Sequence, residues 1–170
     1  MEIGGIYSKW CQTNPPPELL EQECTKNTNF ALGLVGVLPV VKVSSAVATP
    51  VGGGAFKIVV RFINTGFLPT NGTAKAIASK AIRPKATASV SLPDGMEFIV
   101  GAKMMEIDHL MGRASSYVPT APVARMGSAN NPHERELELV VLGTGEVVVE
   151  VDWQRGGVTI AAVKVSAALL

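Results

Sequence analysis

The chain has 170 residues, 47% hydrophobic and only 17% charged, so it can bury a core in one domain or in one and a fraction. Fifteen Lys and Arg stand against fourteen Asp and Glu, a formal net charge of +1, and no basic run or interleaving of aromatic with basic residues appears. That pattern gives no electrostatic footprint for nucleic acid, and none is expected as a partner. The longest apolar stretch, 30–43, is broken by Gly33, Gly36, Pro39 and Lys42 and falls short of the roughly 20 residues a bilayer span needs, so no membrane span is expected.

At the N-terminus, acidic Glu2 stands where a secretory signal would carry a basic region; the signal of an exported parent would lie upstream of Met1. Cys11 and Cys24 match no metal or redox spacing. They read as free thiols, Cys24 packed on a helix face, and their sequence positions leave a disulfide open. A helix is predicted over 14–38. Asn14 serves as its N-cap, Pro15, Pro16 and Pro17 fall in the first turn where backbone donors have no intrahelical partner, and Glu18 and Glu21 complement the positive end of the dipole. Leu20, Cys24, Ala31, Val35 and Leu38 make an apolar stripe, widened by Leu19, Phe30, Leu34 and Val37, with Glu21, Gln22, Lys26 and Asn29 on the polar side. The second half is apolar nearly all round and needs cover on more than one side; Pro39 ends it.

Beyond Pro39 the period changes to two. Val41, Val43, Ser45 and Val47 alternate with Val40, Lys42, Ser44 and Ala46, and Phe56, Ile58, Val60 and Phe62 alternate with Lys57, Val59, Arg61 and Ile63. Gly52-Gly53-Gly54 is the hairpin turn between them. Thr73 to Arg83 is Ala- and Lys-rich and reads as a short strand or a crossing, too short for a helix. Ala86, Ala88, Val90 and Leu92 form the next strand, and Asp94-Gly95 turns it as a hairpin into Met96 to Val100. Met105 and Ile107 mark another strand. The stretch 112–132, rich in Ser, Ala, Pro and Asn, has no periodicity and no clustered acid, base or nucleophile, and reads as mobile or inserted. Leu137, Leu139 and Val141 then face one way, Gly143-Thr144-Gly145 turns, and Val147, Val149, Val151 and Trp153 return before Gly156-Gly157 leads into Val158 to Leu169. Seven to nine short strands with turns between them predict a mainly β fold, an antiparallel immunoglobulin or fibronectin type III-like β-sandwich preceded by one long helix.

No catalytic, cofactor-binding or metal-ligating residue is assigned. His133-Glu134-Arg135-Glu136 contains His-x-x-Glu, which can supply two zinc ligands, but a catalytic site needs a third and no histidine follows 133. Alternation also turns Glu136 and Glu138 to solvent. Glu106 and Asp108 share one face of a strand and His109 the other, so they do not converge as acid and base, and an exposed strand edge accounts for them. Ser115 and Ser116 have no base in a recognisable motif, and there is no Gly-x-Ser-x-Gly and no phosphate-binding glycine loop. Asn71-Gly72-Thr73 fits the N-glycosylation pattern, yet Pro69-Thr70-Asn71-Gly72 is so dense in turn formers that a tight turn is the better reading.

Several strings carry a family resemblance: Glu2-Ile3-Gly4-Gly5, Asn14-Pro15-Pro16-Pro17-Glu18-Leu19-Leu20-Glu21-Gln22-Glu23-Cys24, Phe30-Ala31-Leu32, Asn64-Thr65-Gly66-Phe67-Leu68-Pro69-Thr70 and Ile82-Arg83-Pro84. Together, from Glu2 to about Gly112, they resemble the C-terminal part of bacterial zinc carboxypeptidases of the carboxypeptidase A type. In such proteins an α/β catalytic domain holds zinc through a His-x-x-Glu pair and a distant His, with a downstream Glu as general base, and a β-sandwich follows. The resemblance implies that residues 1–38 are the last strand region and last helix of that catalytic domain and residues 39–170 the appended sandwich. Zinc is implied for the parent alone. No position here matches the ligands or the base, Glu2 follows where the base would be expected, and His133 and Glu136 fall in the sandwich.

Two functions from different classes follow. In the first, the chain is a terminal fragment of a metallocarboxypeptidase-like protein whose sandwich braces the catalytic domain or positions substrate; its partner is the missing catalytic domain, or a second copy through the helix face of Leu20, Phe30, Leu34 and Val37. In the second, it is a self-sufficient module that grips a protein or glycan through loops such as 112–132. Neither gives this chain peptidase activity. Incubating the purified chain with peptides and zinc is expected to release no C-terminal residues; zinc-dependent release would overturn this reading.

Overall fold

The computed structural model describes residues 4–5, 14–113 and 132–166. The chain divides into two compact units, Met1–Val37 and Leu38–Leu170. In the first, a 3-10 turn over Pro17–Leu19 leads into α1 (Leu20–Val35), with Glu18, Glu21 and Glu23 near the positive end of the dipole. The start lies later than predicted. Pro16 is extended at ψ 148°, so no turn forms before Pro17, and the cap positions fall to Pro16 and Leu19, neither of which offers a side-chain hydrogen bond. Asn14 is therefore not the cap. The end is earlier too: Gly36 holds the C-cap position, and Gly36 and Val37 donate to Gly33 and Leu34 in tightened i−3 bonds well before Pro39. No residue of α1 is buried, and Cys24, expected to pack, is exposed.

The second unit is an antiparallel β-sandwich. Its strands are β1 (Val41–Gly52), β2 (Ala55–Asn64), β3 (Ala86–Ser91), β4 (Glu97–Val100), β5 (Met104–Ile107), β6 (Glu134–Leu142), β7 (Gly145–Asp152) and β8 (Val158–Val165). One sheet has the order β1-β2-β6-β4 and the other β5-β3-β7-β8. With β1, β2, β3, β4, β6, β7 and β8 lettered A to G, these are the A-B-E-D and C-F-G sheets of an immunoglobulin constant domain, and β5 is an added edge strand beside C. The alternation of β2 is the pattern behind the core: Phe56, Ile58, Val60 and Phe62 are all buried, flanked in the same sheet by Leu137, Leu139 and Val141 of β6 and joined in the core by Val147, Val149 and Val151 of β7 from the other sheet.

Three local readings change. In β1 a bulge between Val43 and Ser45 shifts the alternation, so Ala46 and Ala48 join Val41 and Val43 against the core and Val47 turns outward. The 73–83 segment is a crossing that contains a short helix, α2 (Ala74–Ala78), because the Thr73 hydroxyl caps it by accepting the Ala76 N–H at 3.2 Å. The turns at Asp94-Gly95 and Gly143-Thr144-Gly145 carry the chain from one sheet to the other, so neither closes a hairpin. β3 is already paired on both edges by β5 and β7, leaving β4 to pair with β6, and β6 is likewise filled by β2 and β4. The two crossings pack on each other through glycine: a Cβ at Gly143 would lie 2.9 Å from the Gly95 carbonyl, and one at Gly145 2.6 Å from Pro93 Cγ.

In antibody domains a disulfide joins strands B and F across the sandwich. Here an aromatic pair takes that path. Phe62 on β2 and Trp153, just past β7, are fully buried, edge to face with ring centroids 5.5 Å apart. Among the described residues, the Trp153 Nε1 donor has no acceptor. Trp153→Ala is expected to cost about 3–5 kcal/mol in denaturant unfolding, whereas Trp153→Phe keeps a ring against Phe62, removes the unpaired donor and costs far less. Equal losses in the two variants would contradict this role.

Candidate functional site

The end of the sandwich where β1 begins and β2 ends is organised by one carboxamide. Asn64 closes β2 and is 2% exposed. Its Oδ1 accepts the Gly66 N–H at 2.9 Å, an Asx-turn that reverses the chain, and the Val40 N–H at 3.0 Å from the segment entering β1. Its Nδ2 donates to the Leu68 carbonyl at 2.9 Å and to the Met111 carbonyl at 3.2 Å. Two acceptor sites and two donors are thus all engaged. The backbones so gathered sit too close for side chains at two points. A Cβ on Gly66 would lie 2.4 Å from the Leu38 carbonyl oxygen, and one on Gly112 2.3 Å from the Phe67 carbonyl oxygen.

A second polar group lies beside it. Thr70, fully buried, takes the Leu110 N–H at 3.0 Å and lies 2.9 Å from Nδ1 of His109. Nε2 of His109 is 3.0 Å from the Arg83 carbonyl, which only accepts, so the network assigns the proton to Nε2 and makes Nδ1 the acceptor of the Thr70 hydroxyl. Arg83 in turn pairs with Asp152, donates to Thr87 at 3.1 Å, and its N–H meets Gln154 Oε1 at 3.0 Å. A hydroxyl against an imidazole has the form of a nucleophile and base, but Thr70 is fully buried. The arrangement binds the 82–87 and 152–154 segments to the loop that Asn64 holds.

His109 corrects an expectation: Glu106 and Asp108 are exposed, but the opposite face, which carries His109, is interior, so the histidine is buried. Lys85 lies 3.8 Å from Glu106 at the surface. His133 and Glu136 do not converge; His133 Nδ1 lies 3.1 Å from the Met111 carbonyl, while Glu136 is half a strand away, facing outward against Arg61 at 2.6 Å. Asn71-Gly72 is a turn, with Gly72 at φ +71° and Asn71 Oδ1 buried, and the Gly72 N–H meets the Pro69 carbonyl at 2.9 Å. Among the described residues, no group of three or more His, Cys, Asp or Glu is placed to hold a metal ion. Cys11, Ser115, Ser116 and most of the 112–132 stretch lie outside the described residues.

Around this locked end four large apolar side chains face solvent: Leu38, Val40, Phe67 and Met111, exposed by 48, 46, 47 and 36%. They are carried by the three segments that Asn64 ties together. Sequence reasoning missed the role of Asn64. The local signal was present, since Asn followed two residues later by Gly at a strand end is an Asx-turn pattern, but the bonds to Val40 and Met111 span the chain and leave no local trace.

A family model described as a domain of unknown function, DUF8731, matches residues 40–164. No curated protein matches the chain.

Asn64→Asp keeps the acceptor toward Val40 and Gly66 but turns an oxygen toward two carbonyls in a buried site. Its expected cost is about 3 kcal/mol or more, read from denaturant unfolding at neutral pH. A loss below about 1 kcal/mol would show that the four bonds do not govern this end.

Proposed function

The chain belongs to the DUF8731 family, and we propose that its sandwich is an accessory domain that braces an adjoining domain rather than a seat of chemistry. The observation that carries this is the apolar end formed by Leu38, Val40, Phe67 and Met111 on a backbone held by the Asn64 bonds. Scattered exposed apolar residues are ordinary on any protein; a cluster on a rigid, fully hydrogen-bonded scaffold is the form of a docking surface, because little conformational entropy is lost when it is covered. The segment into β1 runs through the cluster at Leu38 and Val40, so the partner best suited to it is the domain that precedes the sandwich in the polypeptide.

The nature of that neighbour is proposed from the resemblance of 1–38 and of Asn64-Thr65-Gly66-Phe67-Leu68-Pro69-Thr70 to bacterial zinc carboxypeptidases. In this reading α1 is the last helix of a metallocarboxypeptidase-like catalytic domain. A 16-residue helix that buries none of its own side chains is of marginal stability alone in water, which fits an element completed by a larger neighbour. Zinc and the general base would belong to residues outside this chain, and the sandwich would brace that domain or position its substrate.

Reading the genomic DNA ahead of the Met1 codon tests the neighbour: an in-frame His-x-x-Glu with a later His and Glu supports it, and an in-frame stop codon directly ahead contradicts it. In the joined protein Phe67→Ser is expected to lower the unfolding midpoint, while in the 170-residue chain it changes stability by no more than about 0.5 kcal/mol. An equal effect in both would show that Phe67 is not covered by the neighbour.

A further inference from the structure

The outer face of the β1-β2-β6-β4 sheet carries its charges in two adjacent columns. On β2 the outward residues include Lys57, Val59 and Arg61, and on β6 Glu136, Glu138 and Val140. The register sets Arg61 opposite Glu136, Val59 opposite Glu138 and Lys57 opposite Val140, with ion pairs Arg61–Glu136 at 2.6 Å and Lys57–Glu138 at 3.0 Å. A cationic column therefore runs beside an acidic one, both about half-exposed. Exposed apolar residues flank the columns: Val47 on β1, Val100 on β4 and Leu142 on β6. The outer face of the other sheet presents Thr87, Ser89 and Ser91 on β3 and Glu150 on β7, with exposed Val158 and Ile160 on β8, so the apolar residues are common to both faces and the paired columns distinguish this one.

We propose that this valine-lined face is the interface of a symmetric dimer with a second copy of the chain. The charges select the symmetry. A twofold axis running along the strands between β2 and β6 lays the cationic column of each copy over the acidic column of the other, Arg61 against Glu136 of the second copy, whereas an axis across the strands would set Glu138 on Glu138 and Arg61 near Lys57. A guanidinium has five donors, so Arg61 can serve its own Glu136 and that of the second copy together. The size suits a weak dimer: three strands with about five outward rows each and the four-residue β4 with two, about 4.8 Å apart, make a face of about 550 Å², below the roughly 800 Å² each partner gives a standard interface. The valines supply the burial, and the charges supply register and orientation. This surface is separate from the Asn64 end, and the dimer stands or falls independently of the bracing role.

Sedimentation equilibrium of the purified chain tests it. The chain is expected to dimerise with a Kd in the range of about 1–100 µM. Arg61→Glu and Glu136→Arg, each placing like charges across the axis, are each expected to weaken the dimer at least about tenfold, and Val47→Lys to weaken it without touching an ion pair. Mixing the Arg61→Glu and Glu136→Arg proteins is expected to restore a dimer, because each then offers the complement of the other; intramolecular loss of the Arg61–Glu136 pair cannot be repaired that way. Circular dichroism identifies any variant that fails to fold, and Val47→Lys then stands in for it. A chain that stays monomeric above about 100 µM, a mixture that stays monomeric, or a dimer indifferent to all three variants and so formed by another surface, such as α1, overturns the proposal.

Discussion

The four hydrogen bonds of the Asn64 carboxamide are the constraint on which the rest of this sandwich depends. A buried amide with both lone-pair sites and both donors occupied has one orientation, and that orientation fixes three pieces of backbone from distant parts of the sequence: the entry to β1 at Val40, the turn at Gly66 and Leu68, and the segment after β5 at Met111. Gly66 and Gly112 are needed because the pieces approach within distances that no Cβ fits. The Phe62–Trp153 pair lies directly inside this end and joins the two sheets where antibody domains have a disulfide. The lock and the pin share β2: Phe62 points to the core two residues before Asn64 turns in to gather the loops.

The sequence was most legible where one periodicity decides everything. The strict alternation from Phe56 to Phe62 marks a half-buried strand, and in the structure that strand is central, paired on both edges. Legibility fell where the outcome depends on a partner elsewhere. Asp94-Gly95 looks the same in a hairpin and in a crossing between sheets, and only the occupied edges of β3 decide which it is. The bulge in β1 reverses the facing of Val47 with no composition change to announce it. A similar limit applied to the site. Alternation set His109 on the face opposite Glu106 and Asp108, but β5 ends at Ile107, and the burial of His109 rests on Thr70 and the Arg83 carbonyl, which come from 39 and 26 residues away.

The polar groups of this end are spent on structure. Thr70 and His109 satisfy one another and the backbone, and Asn64 has no free valence. The same bonding fixes the apolar surface around this end, and the proposed accessory role rests on that surface. The fold thus combines an interior pinned by aromatics and one carboxamide with an end proposed to dock an adjoining domain and an outer sheet face proposed to pair with a second copy.

Native-state amide hydrogen exchange at Val40 and Gly66 addresses the central claim most directly, because both amides sit outside regular ladder pairs and donate to Asn64 Oδ1. If the carboxamide locks this end, both exchange only through global unfolding, as slowly as Val60 in the centre of β2. Exchange at the rates of an open loop would show that the end is not held, and the account of the sandwich as a rigid brace would fail with it.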